Sequence, residues 1–197
     1  MTLAPESIRL LRPPGLDGVE LVQIHRSTQR WSGYVKSWDL CFVAEGAARW
    51  RYRGRAMLTE AGQLRLKEPG ERFVTERVES PSTLQIVQLS PARVASWLEL
   101  LPASRRHFGA LQVSLSLERQ RQLRSAMAQL AGEEAGLSRD AALHSLLDGL
   151  LAPHLEETPR PRPADSQRLT KTARPSLFKP RQAIGLRSTA CPWLSDP

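Results

Sequence analysis

The stretch from Leu40 to Glu71, LCFVAEGAARWRYRGRAMLTEAGQLRLKEPGE, restricts this chain to few folds, because almost every residue obeys strand–turn–strand grammar. From Arg49 to Arg53, arginine alternates with an aromatic: Arg49, Trp50, Arg51, Tyr52, Arg53. Successive side chains of a strand leave on opposite faces, so Trp50 and Tyr52 share one face and the arginines take the other. Gly46, Gly54, Gly62 and Gly70 punctuate the run where tight turns are expected. Gln63 to Leu66 continues the pattern, with Leu64 and Leu66 inward and Gln63 and Arg65 outward. The expected arrangement is a meander of short antiparallel strands with one wet face and one enclosed, aromatic face. Such a sheet closes naturally into a barrel able to hold a small molecule.

The flanks extend this reading. Residues 1–18 contain Pro5, Pro13, Pro14, Gly15 and Gly18 and read as an extended arm with little structure of its own. Val19 to Arg26 reads as the first strand, Trp31 to Trp38 as a strand edge or loop, and Leu40 to Val43 as a continuous apolar strand. Ala47 to Tyr52 and Arg55 to Leu58 form a hairpin about Arg53-Gly54. Arg72 to Arg77 and Thr83 to Leu89 complete a barrel over residues 19–90.

At Pro91 the period changes from two to about 3.6 residues. Residues 91–101 predict a short helix with Val94, Trp97, Leu98 and Leu101 on one stripe. Residues 116–131 predict a second, N-capped by Ser116, and residues 138–151 a third, capped by Ser138. The third carries a wide apolar stripe of Leu143, Leu146, Leu147, Leu150 and Leu151. Gly132 to Gly136 is a short connector, so the last two helices are expected to form an antiparallel hairpin within a helical segment, 91–155. From 156 to 197 prolines recur without apolar periodicity, and the segment reads as a disordered tail. The fold class is therefore mainly β, an antiparallel barrel followed by a helical hairpin.

The net charge of +8 is unevenly distributed. Residues 159–197 hold eight Lys or Arg against two Asp, so the rest of the chain is nearly neutral. A basic tail of this kind is either solvated or binds phosphate backbones without sequence preference. No apolar run is long enough to cross a bilayer, and the N-terminus lacks a signal pattern, so a cytoplasmic protein with no membrane partner is expected. Cys41 reads as a small buried hydrophobe, and Cys191 lies in the polar tail with no partner at ligand spacing.

Nothing in the chain announces catalysis. His25, His107, His144 and His154 are scattered, and Phe73 stands after the Pro69-Gly70-Glu71 turn at a position where a metal-binding barrel needs a ligand. No GxSxG, GxxxxGK or GxGxxG segment occurs. The expectation is no catalytic residue, no metal and no cofactor. The aromatics carry the binding hypothesis: Trp50 and Tyr52 on one face, flanked by Trp31, Tyr34, Trp38 and Phe73. Such rings stack on planar or apolar ligands, or else simply fill a small barrel. The row Arg49, Arg51, Arg53 reads as a solvated face, with an anion or nucleic-acid surface as the other reading.

The order EGAARWRYRGR, a glycine turn, then LRLKEPGE resembles the N-terminal sensor domain of AraC-type transcriptional regulators. The resemblance covers roughly residues 19–151. It implies a cupin-like β-barrel that binds a small-molecule effector, followed by helices that dimerise; the residue pattern, not the family, offers Trp31, Trp38, Trp50, Tyr52 and Phe73 as the ligand contacts. The leucines Leu143, Leu146, Leu147 and Leu150 either pack on their own barrel or pair with a second copy in a homodimer. Many members carry histidine where this chain has Phe73, a departure that removes any implied metal. The family's DNA-binding half has two helix-turn-helix units, whereas DSQRLTKTARPSLFKPRQAIGLRSTACPWLSDP lacks their periodicity and its prolines would break the helices. The expected function is effector sensing and dimerisation within a regulator truncated, or shifted out of frame, near residue 160, with no specific DNA reading by this chain. The alternatives are a stand-alone cupin enzyme or small-molecule-binding protein, and a nucleic-acid binder working through its basic tail.

Overall fold

A computed structural model describes residues 6–99, 107–132 and 136–156. Two long strands organise it: β4 (Trp38–Tyr52) and β7 (Arg72–Leu89), paired antiparallel along their whole length. Register shifts between Val43 and Trp50 bend the pair, so each strand serves two walls. The first half of β4 and the second half of β7 join β1 (Ser7–Leu11), β2 (Val19–Ser27), β6 (Gln63–Lys67) and β9 (Gln112–Ser114) in the order β1-β2-β7-β4-β6-β9. The remaining halves pair with β3 (Ser32–Tyr34) on β7 and β5 (Arg55–Glu60) on β4 to make the second wall. The walls fold over one another as a barrel.

The bend replaces the turn expected at Gly46. That residue adopts φ +83° inside a continuous strand, and a Cβ there would lie 2.3 Å from the Pro81 carbonyl oxygen. Arg53 and Gly54, by contrast, both have positive φ and make the tight hairpin turn between β4 and β5. The N-terminal arm also departs from expectation: Ser7–Leu11 pairs with β2 in register from Ser7 opposite His25 to Leu11 opposite Leu21. An edge strand needs only a paired backbone, and Pro13, Pro14, Gly15 and Gly18, which suggested an unstructured arm, all follow it.

On the first wall, Leu40, Phe42, Leu64, Leu66, Val87 and Leu89 project from one face into the main core. Three helices cover that face: α1 (Pro91–Leu98), α2 (Leu117–Ala131) and α3 (Gly136–Leu146). Ser90 and Ser116 cap α1 and α2, their side chains accepting from the Arg93 and Arg119 amides. Along α2, Leu123, Ala126, Met127 and Leu130 recur at helical spacing and are buried. Ser138, expected as the cap of the third helix, instead lies inside α3, which begins at Gly136 and continues as a π-helical segment, Leu147–Leu151. Two further short strands, β8 (His107–Phe108) and β10 (Leu155–Glu156), pair within the supposedly helical segment, so Glu156 is bonded to β8 rather than opening the tail. The expected disordered, basic segment beyond it, with Cys191, lies outside the described residues.

Leu143, Leu146, Leu147 and Leu150 are each at most 4% exposed and belong to the core of their own chain. Of the two expectations for these leucines, this is packing on their own barrel. A stripe already covered by its own β-sheet has no apolar area left to bury against a second copy.

Candidate site in the barrel interior

The opposite face of the first wall looks into the barrel. Cys41, Val43, Ile24 and Leu84 form its apolar floor, with Val22, Trp31 and Ile86 packed against them. Register places Arg65 opposite Cys41, and Lys67 opposite Asp39, on that same face. Arg65 is 7% exposed, which corrects its placement on a solvated face. β6 is covered on both sides, by helices on one and by the barrel on the other, so alternation sends Arg65 inward rather than into water. The continuous apolar run of Leu40 to Val43 on the neighbouring strand is the sequence signal for a sheet buried on both faces.

Trp50 and Tyr52 approach from the second wall, each 1% exposed. Their rings stack with centroids 5.6 Å apart. The Trp50 Nε1–H donates to Thr59 Oγ1 at 2.6 Å, and Thr59 donates to Gln112 Oε1 at 2.7 Å, tying β4, β5 and β9 together. Three cations lie over rings here: Arg65 over Trp50 at 5.3 Å, Arg53 over Tyr52 at 5.3 Å and Lys67 over Phe73 at 4.2 Å. Lys67 pairs with Asp39 at 2.9 Å, and Ser37 also donates to that carboxylate at 2.6 Å. The arginine row divides. Arg49 and Arg51 make exposed pairs with Glu79 and Glu76, whereas Arg53 turns in to Glu68 at 2.7 Å because positive φ at the hairpin breaks the alternation.

Of the five aromatics expected to bind ligand, Trp31, Trp50, Tyr52 and Phe73 border the interior. Trp38 does not. Its ring packs edge-on to Phe108, 5.2 Å away, in the helix-covered core, because it shares the parity of Leu40 and Phe42. Tyr34 is 71% exposed. Sequence reasoning missed the charged half of the interior: Asp39, Arg65 and Lys67. The histidines do not converge, and among the described residues no group of three His, Cys, Asp or Glu is placed to hold a metal ion. Among them, too, no helix is long and apolar enough to cross a membrane.

The interior shifts ionisation. Burial pushes the Tyr52 phenol up to about 12, against the opposing pull of the Glu68 N–H that it accepts at 2.7 Å and of Arg53. Burial also raises the Cys41 thiol, with Arg65 and Lys67 acting the other way. Because the folded-state pKa of Tyr52 lies above the ordinary 10.0, its contribution to stability is complete below pH 10 and is lost as the pH rises towards 12. Alkaline denaturation should therefore steepen over that window, and Tyr52→Phe should flatten it. Tyrosinate absorbance followed alongside circular dichroism checks this; an unchanged alkaline slope in Tyr52→Phe would refute it.

The description "AraC-like ligand binding domain" matches residues 24–151, spanning both the barrel and its helices. The chain belongs to this AraC-like ligand-binding family. Family membership makes this a cupin-like ligand-binding domain, in keeping with the antiparallel barrel described above. No curated protein matches the chain. Solved structures similar to it include a cupin 2 conserved barrel domain protein from Salinispora arenicola, 15% identical, covering 51% of this chain and 98% of that one at TM-score 0.38. A cupin protein from Bacteroides fragilis is 18% identical, covering 46% and 82% at TM-score 0.37. A putative mannose-6-phosphate isomerase from Ralstonia eutropha is 14% identical, covering 45% and 87% at TM-score 0.38.

Proposed function

We propose that this chain is the effector-sensing part of an AraC-type transcriptional regulator, binding a small molecule between the two walls of its barrel without transforming it. The observation that carries this reading is the interior itself: stacked Trp50 and Tyr52 on one wall face Arg65, Lys67 and Asp39 on the other. Structural barrels fill their centre with aliphatic side chains, whereas a receptor sets a few polar groups among aromatic ones. Trp31, Ile86, Val22 and Phe73, which border this interior, remain partly accessible to solvent. The non-catalytic reading is supported by Phe73 at the position where a metal-dependent barrel enzyme would use a histidine.

Binding alters the packing of the second wall, and the helices that cover the first wall pass that change on. Dimerisation is part of the proposal, through a surface other than the buried leucines. Transmission to DNA needs a helix-turn-helix unit, which the sequence pattern of this chain does not supply. Sedimentation equilibrium tests the homodimer, and a monomer at all concentrations would end that part.

A thermal-shift screen with sugars, aromatic acids and fatty acids tests the sensor, since a ligand that binds only the folded form raises the melting temperature. A hit should also change tryptophan fluorescence, and Trp50→Leu should weaken it about tenfold or more. A hit whose affinity is indifferent to Trp50→Leu would place binding elsewhere.

A further inference from the structure

Ion pairing inside the barrel leaves one buried cation out. Asp39 is taken by Lys67 at 2.9 Å, Glu68 by Arg53 at 2.7 Å and His107 at 2.9 Å, and Glu20, at the rim of the first wall, by Arg12 at 2.7 Å. Glu71 lies 3.6 Å from Arg53. Among the described residues, no carboxylate pairs with Arg65. Its Nε and Nη2 are buried with no hydrogen-bond partner, although the residue is only 7% exposed. A second donor on the same interior surface, the Trp31 indole N–H, is also buried without an acceptor. Burying a cation away from water is costly unless an anion and hydrogen bonds replace its hydration, and a guanidinium is shaped to receive two carboxylate oxygens side by side. Around these donors the surface is apolar and flat: Trp50 beneath the guanidinium, Cys41 opposite it, and the Ile24, Val43 and Leu84 floor.

We propose that the effector is a small organic monocarboxylate, its charged end on the Arg65 guanidinium with the Trp31 N–H as second donor, and its apolar or aromatic body against Trp50 and the floor. This rests on the sensor reading above and narrows it to one ligand class. A buried guanidinium without an ion pair calls for an anion beside it; a sugar or another neutral ligand would leave it uncompensated. Burial lowers the pKa of Arg65, in keeping with a guanidinium that lacks its counter-charge, but the assignment stands on the geometry.

The test compares acids with their amides, which share shape and differ in charge. Benzoate, phenylacetate and hexanoate, and the matching amides, are titrated at millimolar concentration and constant ionic strength into the full chain, read by melting temperature and tryptophan fluorescence. At least one acid should bind about 10- to 100-fold more tightly than its amide. Arg65→Met should abolish that preference while melting at or above the ligand-free wild type, since it removes an uncompensated buried charge. Arg65→Lys should keep part of the preference, and Trp31→Phe should weaken acids more than amides. Amides binding as well as acids would overturn the carboxylate and leave the sensor standing. Acid preference surviving in a folded Arg65→Met would overturn the assignment to Arg65. Silence from both acids and amides in the wild type would overturn the carboxylate too; a response to sugars in the same assay would then preserve the sensor, and none to any class would remove both.

Discussion

Gly46→Ala should cost this barrel about 3–5 kcal/mol, a large fraction of the stability of an ordinary domain. Two effects add. Gly46 sits at φ +83°, where an L side chain is strained. The new Cβ would also meet the Pro81 carbonyl oxygen at 2.3 Å and the Ser82 Cα at 2.7 Å. Those atoms are backbone of β7 paired to β4, so no side-chain rotation relieves the clash, and the bend that lets both strands serve two walls must open. Gly54→Ala is the control. That glycine also has positive φ, at 73°, but nothing lies within 4 Å of its added Cβ, so only strain of about 1 kcal/mol is expected. Urea denaturation of both variants measures the difference. Equal losses would mean that the close approach of β4 to β7 at Gly46 does not limit the fold.

Glu68→Leu should cost about 3–4 kcal/mol, because it removes the single carboxylate on which a buried network converges. The Glu68 side chain is 3% exposed and receives Arg53 Nη2 at 2.7 Å, His107 Nδ1 at 2.9 Å and the backbone N–H of Phe108. Leucine keeps the volume but leaves the Arg53 guanidinium, itself 18% exposed, without its closest counter-charge and the Phe108 amide without an acceptor. The loss should have an address. Arg53 belongs to the β4–β5 turn and Phe108 to the β8–β10 pair, so amide exchange should accelerate at Phe108 and Gly109 before it does along β4 and β7. Uniform acceleration, or a loss below about 1 kcal/mol, would show that the network is screened by solvent and holds nothing together.

The parts legible in the sequence were those governed by local chemistry. The Arg53-Gly54 turn, the Ser90 and Ser116 helix starts, and the inward Trp50 and Tyr52 all follow from residue type and spacing. The failures share one cause. Arg65 was assigned to water and Trp38 to the binding face, and each assignment assumed which side of an element would be covered. Alternation fixes which residues share a face, and only packing fixes what that face meets. The strands β8, β9 and β10 were missed because they are two or three residues long, too short for any period to register. Ser138 failed as a cap because α3 starts two residues earlier than the serine suggests.

By itself, the order of residues determined the element types, the barrel-then-helices layout and the pairing of Trp50 with Tyr52 on a buried face, because strand and helix periods are properties of the backbone. Three-dimensional closure decided the rest. Bending β4 and β7 at Gly46 brings Arg65 from one wall to within 5.3 Å of the Trp50 ring on the other, across a barrel whose charges are set by residues distant in sequence. No local pattern records that meeting, since a cation gains or loses its counter-charge only when the whole sheet folds over on itself.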